Sequence, residues 1–129
     1  MKLDFDSDPS SLLIRAYAAG QIAVADRILT RPFVIVGNTI DVDLLPAHPE
    51  DLAADHLRKL AELGVDIVII GTGSRQIFLR AALTLPLLER GIGLESMDTP
   101  AACRCYNVLV AENRSVAAAL YMMGPEARR

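Results

Sequence analysis

A chain of 129 residues, 52% hydrophobic and 22% charged, is long enough to bury an ordinary single-domain core without disulfides or metal staples. With three Phe, three Tyr and no Trp it offers no platform for stacking bases or sugars, and 13 basic against 16 acidic residues (net −3) leave no cationic footprint for nucleic acid. No apolar run reaches the roughly 20 residues that cross a bilayer, the N-terminal MKLDFDSDPSS lacks the apolar stretch of a secretory signal, and two cysteines make no disulfide framework. A cytoplasmic protein without membrane insertion is expected.

Residues 1–11 are polar and are expected to be a flexible N-terminus, with 124–129 a flexible tail and 12–123 a single domain. In LLIRAYAAGQIAVADRILT, alternation on either side of Ala19-Gly20 predicts two strands joined by a tight turn, because Gly accepts positive φ. FVIVGNTIDVDLL repeats the pattern: a strand Phe33–Val36, a Gly37-Asn38 turn, then Ile40, Val42 and Leu44 alternating with polar residues.

The period then changes. PEDLAADHLRKLAELG predicts a helix with Pro49 at its first position, Glu50 and Asp51 at the positive end of its dipole, and Gly64 closing it. Ala53, Leu57, Leu60 and Ala61 line one face, and Asp55 and Lys59 form an i,i+4 pair on another. VDIVIIG is apolar throughout, as in a strand covered on both faces. The GTGSRQ loop is followed by a helix over FLRAALTLPLLERG, with Pro86 in its first turn or kinking it, and a short strand in GIGLESM. Thr99 as N-cap and Pro100 at N1 open a third helix to about Ala111, and SVAAALYMM is a final buried strand. Alternating strands and helices imply right-handed crossovers. The expected fold is α/β, with a mixed, largely parallel central sheet, packed helices and an N-terminal antiparallel hairpin layer.

Cys103 and Cys105 point about 200° apart on such a helix, so they share neither a metal nor a bond. The two histidines, His48 and His56, lie far off in sequence, and no metal set is expected. A thiol near a helix N-terminus is acidified, but Cys103 at N4 is past the strongest field and has no adjacent base; two small buried side chains are the simpler reading. GTGS lacks both the third glycine of a dinucleotide loop, since Gln76 stands there, and the Lys-Ser/Thr of a P-loop. No cofactor and no catalytic residue are implied.

Position matters more than motif. Ligands of open α/β sheets bind beyond the carboxyl ends of strands. Gly71, Thr72, Gly73, Ser74 and Arg75 follow one such end, and Asp98 and Thr99 follow another. If those strands are neighbours, these residues with Asn107 form a candidate ligand-binding site in which free helix amides and Arg75 receive a small anion. The alternative is structural: Asp98 caps the helix, the glycines make a turn, and Asn107 ties the helix to the loop. Asp41, Asp43, Glu50, Asp51 and Asp55 read as a solvated acidic face or as a docking surface for a basic partner.

GIGLESMDTPAACRCYNVLVAENRSVAAAL, preceded by VIIGTGSRQ and the acidic helix, resembles a family of uncharacterised domains. That family includes the mitochondrial complex I assembly factor 3 and small stand-alone bacterial proteins. The resemblance runs from about Leu12 to Leu120 and is most specific at Gly71, Gly73, Arg75, Met97-Asp98-Thr99, Ala102 and Tyr106-Asn107. It implies a compact α/β fold, no established enzymatic activity, and a non-enzymatic binding or assembly-factor role. The partner implied is a protein, a subunit or assembly protein of a membrane complex. Members often carry threonine at the place of Cys105 and prolines at those of Leu79 and Arg80, which argues against a function built on the Cys105 thiol.

Overall fold

A computed structural model describes residues 11–125. The expected flexible ends therefore lie almost wholly outside the described residues. In chain order the elements are β1 (Ile14–Ala18), β2 (Gln21–Val24), β3 (Arg27–Leu29), β4 (Phe33–Val36), β5 (Thr39–Asp41), a 3-10 turn (Pro49–Asp51), α1 (Ala54–Ala61), β6 (Ile67–Gly71), α2 (Ala81–Glu89), β7 (Gly93–Met97), α3 (Thr99–Ala111) and β8 (Val116–Leu120).

Two sheets form. β1–β2–β3 is an antiparallel meander, and β5–β4–β8–β6–β7 is a mixed sheet in which β8, β6 and β7 are parallel and β4 and β5 antiparallel. The β-rich first third thus supplies both a separate layer and two strands of the main sheet. Side-chain alternation along the central strands divides the interior in two. Phe33, Ile35, Ile69, Val116, Ala118 and Leu120 face α3 and the meander, with Ile14, Ile22, Val24 and Tyr106. Val34, Val68, Ile70, Ala117 and Ala119 face α1 and α2, where Leu57, Leu60 and Leu87 are fully buried. Each such leucine contributes about 1.5–3 kcal/mol of burial. Of the three consecutive alanines of β8, Ala118 lies in the layer under α3, and Ala117 and Ala119 lie in the layer under α1 and α2.

Several boundaries differ from expectation. A third strand, β3, follows a turn in which Ala25 takes φ 53°, a conformation alanine seldom adopts. β5 ends at Asp41 rather than running to Leu44; there the Asp41 carboxylate accepts the Asp43 amide at 2.8 Å and turns the chain. The helix expected from Pro49 is broken. Pro49–Asp51 is a 3-10 turn, Leu52 is extended with ψ 130° and buried, and α1 starts at Ala54, where the His56 ring accepts the Ala53 amide at 2.9 Å. Asp55 pairs with Arg58 at i,i+3 rather than with Lys59. α2 begins at Ala81 rather than at Phe78, and of the two placements expected for Pro86 it is the interior one that occurs.

Candidate functional site

The parallel register of β6 with both neighbours places Gly71 opposite Met97 on one side and Leu120 on the other. The segments leaving the carboxyl ends of three adjacent strands therefore meet: Thr72-Gly73 after β6, Asp98-Thr99 after β7 and Tyr121 after β8. The neighbourhood expected of the Gly71–Arg75 loop and the Asp98–Thr99 helix start is real. Its chemistry is that of a clasp.

Thr99 is wholly buried. Its hydroxyl accepts the Gly73 amide at 2.8 Å and donates to the Tyr121 carbonyl at 2.6 Å, while its own amide donates to the Gly73 carbonyl at 2.8 Å. The Tyr121 amide donates to the Gly71 carbonyl, and the Thr72 amide to the Met97 carbonyl, both at 2.9 Å. The Thr72 hydroxyl accepts the Ile77 amide at 3.1 Å and lies 2.5 Å from the Arg75 carbonyl, its closer acceptor, which folds the loop onto itself. Gly71 has no room for a side chain, since a Cβ there would stand 2.9 Å from Ala102 Cβ and 2.9 Å from Leu120 Cδ2. Gly73 sits at φ +97°, where L side chains are strained.

The N-cap of α3 is Asp98, not Thr99. Its carboxylate accepts the Ala101 amide at 2.9 Å. The first-turn donors of α3 are thus all engaged: Thr99 to Gly73, Ala101 to Asp98, and Pro100 has no N–H. The register of the helix moves by one residue, which puts Cys103 at N5, Cys105 at N7 and Asn107 at N9.

Ser74 and Arg75 are exposed. The Ser74 hydroxyl accepts the Gly124 amide at 2.9 Å, and among the described residues no ion pair joins Arg75 to Asp98. Asn107 does not reach the loop. Its side-chain oxygen accepts the Ile14 amide at 2.9 Å and its nitrogen donates to the Ile14 carbonyl at 2.7 Å, so it ties α3 to the edge of the meander. One residue earlier the Tyr106 hydroxyl donates to the Leu12 carbonyl at 2.9 Å. Of the expected site, Gly71 to Arg75, Asp98 and Thr99 come together and Asn107 stands apart. The residues missed are Tyr121, whose backbone completes the clasp, and Gln76, whose side chain donates to the Ser96 carbonyl at 2.7 Å. Local sequence carries no sign of either.

Shallow clefts lie among the described residues outside the clasp itself. A cleft of about 350 Å³ opens at the other end of the parallel strands, among Gly37, Gly64, Arg114 and Ser115. One of about 320 Å³ lies between α1 and α2, and one of about 230 Å³ runs between Phe78, Thr84 and the β7 edge. Among the described residues no cluster of His, Cys, Asp and Glu is able to hold a metal. Cys103 is buried, and desolvation pushes its thiol up to about 12, opposite to the shift a nucleophile needs.

Residues 14–121 match the family described as "Protein of unknown function (DUF498/DUF598)". The chain belongs to this family. It is 34% identical over 114 residues to the human NADH dehydrogenase [ubiquinone] 1 alpha subcomplex assembly factor 3, an alignment covering 79% of this chain and 62% of the human protein, so the chain spans less than two thirds of that relative's length. A Bordetella parapertussis crystal structure superposes with TM-score 0.82 at 33% identity, over 88% of this chain and 97% of that one. A Bordetella pertussis protein described as an Mth938-like domain gives TM-score 0.78 at 30% identity, over 98% and 95%. Family membership and the mixed α/β fold agree with the expectation from sequence. No helix among the described residues is long and apolar enough to cross a membrane.

Proposed function

We propose that this chain is a cytoplasmic, non-enzymatic binding protein of the assembly-factor kind, acting on a protein partner that is a subunit or assembly protein of a membrane complex. The observation that carries this reading is the closure of the strand-end clasp. An anion site at the helix mouth needs backbone amides left open, yet the Thr99, Ala101, Thr72 and Gly73 amides all have partners within the fold. A nucleophile needs a lowered pKa, yet burial raises that of Cys103. The similarity to an assembly factor supports a protein as the partner.

The test is affinity capture of the tagged protein from its own host, from soluble and membrane fractions, beside an Asp98→Ala variant first checked for folding. Enrichment of one membrane complex or its assembly proteins by both forms supports the reading. Recovery of the protein alone overturns it. A rise in melting temperature with phosphate, abolished by Arg75→Ala, would favour a small-anion site at the Gly71–Arg75 loop instead.

A further inference from the structure

Helix α2 has the sequence AALTLPLLE, with Thr84 the one polar residue before Glu89, and only Leu87 is fully buried. Leu85 is 49% exposed, Leu88 60%, and Phe78, in the segment leading into the helix, 82%. At 100° per residue, Ala81, Leu85 and Leu88 fall within about 60° of one another, so the exposed leucines form one ridge rather than scattered points. Thr84, on the flank of that ridge, lines the same cleft as Phe78, which sets the phenyl ring on the ridge's side of the molecule. Exposed apolar side chains grouped on one face mark a contact surface.

The charge around the ridge is uneven. From Ile67 to Leu88 there is no acidic residue, and Arg75 and Arg80 both stand exposed at the Phe78 end. Among the described residues neither guanidinium has an ion-pair or hydrogen-bond partner. Glu89 closes the helix and Glu95 lines the Phe78 cleft, one acid against two arginines at that end, and the Arg90 guanidinium is held by the Ala61 carbonyl at 3.2 Å. On a chain of net charge −3, this end is locally cationic.

We propose that this face, Phe78 with Leu85 and Leu88 flanked by Arg75 and Arg80, binds the surface of an anionic lipid bilayer. Exposed leucines and a phenyl ring beside two arginines, both outside the helix itself, bring together the apolar and cationic contacts that binding at a lipid interface uses. Arginine stems extend along acyl chains while their guanidinium groups meet lipid phosphates. The relief of the face also suits lipid. Leu85 and Leu88 stand on a convex helix with a shallow cleft on each flank, and Phe78 projects at one end. A rigid partner must supply a hole matched to each projection, whereas fluid acyl chains close around any shape. At nine residues α2 is about 13 Å long, so it lies on the membrane and does not cross it. The proposal stands apart from the protein-partner reading, because lipid alone is the ligand.

The experiment is co-sedimentation of the full-length protein with vesicles of phosphatidylcholine, with and without phosphatidylglycerol. Binding is expected with the anionic vesicles, declining as sodium chloride rises, and is expected to be absent with phosphatidylcholine alone. Arg80→Glu should weaken it by about fivefold or more, and Phe78→Ser by about tenfold. Both sites are exposed, so circular dichroism melting should match the parent. Ile28→Ser, which removes an exposed apolar residue on the separate meander (57% exposed), should bind as the parent does. Failure to sediment with anionic vesicles overturns the proposal, as does equal weakening by Ile28→Ser. Concentration-dependent self-association in light scattering, removed by Leu88→Ser without vesicle binding, would assign the face to a second copy instead.

Discussion

Thr99 and Gly73 hold each other through two hydrogen bonds of 2.8 Å each, the Thr99 amide to the Gly73 carbonyl and the Gly73 amide to the Thr99 hydroxyl. The two residues are 26 apart in sequence. The ring they form fixes the start of α3 against the exit of β6, and the hydroxyl's remaining proton extends it to Tyr121 at the end of β8. Three strand ends are thereby tied by one buried side chain.

Thr99→Val tests that account because it keeps the shape and removes the hydroxyl. The Gly73 amide and the Tyr121 carbonyl are then buried without partners, at about 1–3 kcal/mol each. A loss of about 2–5 kcal/mol in urea unfolding is expected, with Thr99→Ser recovering most of it. A change below about 0.5 kcal/mol, the size of an ordinary surface substitution, would mean that the clasp is not what holds these ends.

Gly71 is constrained by contact rather than by φ. An added methyl would press on Ala102 and Leu120 at 2.9 Å and on the Thr99 hydroxyl at 3.0 Å. Gly71→Ala is therefore expected to cost about 1–3 kcal/mol as overpacking. Pairing it with Thr99→Val should give a non-additive sum, since both act on one contact. Independent losses in a double-mutant cycle would count against the coupling.

How far the sequence foretold this is uneven, and the unevenness has physical causes. Asp98 and Thr99 are both good caps before Pro100, so local chemistry could not choose between them; the choice was made by Gly73 and Tyr121, which claim the Thr99 hydroxyl from elsewhere in the chain. Asn107 was recognisable as a polar residue inside an apolar helix, but its partner Ile14 is 93 residues away. Pro49 signalled a helical start correctly, and the start was only a 3-10 turn because Leu52 leaves the helical path to be buried. β3 was invisible because its turn uses Ala25 where Asn or Gly would have announced it. The insertion of β8 between β4 and β6 belongs to long-range pairing, which no periodicity records.

Asn107→Leu should loosen the meander from α3 at a defined point. It leaves the Ile14 amide and carbonyl without their side-chain partners and is expected to cost about 2–4 kcal/mol. Because the other pairings of β1 with β2 remain, the effect should be local as well as global. Hydrogen exchange at the Ile14 amide should accelerate well beyond that at Ile69 or Ala118. Uniform acceleration across both sheets would show that Asn107 does not act as a local tie.

Alkaline pH should destabilise the fold. Burial raises the Cys103 thiol from 9.0 to about 12 and the Tyr106 hydroxyl from 10.0 to about 12, because each anion would have to form away from water. Both groups hold their protons more tightly when folded than when unfolded. Their stabilising contribution is therefore fully present below pH 9, and is lost as pH rises through 9–10, where the unfolded chain ionises, toward the folded value near 12. Urea midpoints measured from pH 7 to 11 should be flat to about pH 9 and then fall. Cys103→Ala should blunt the early part of that fall while lowering stability at neutral pH. In the same series iodoacetamide should label the half-buried Cys105 in the native protein and Cys103 only on unfolding. Fast native labelling of Cys103 at neutral pH would contradict both its burial and the raised pKa, and would reopen the thiol as a reactive group.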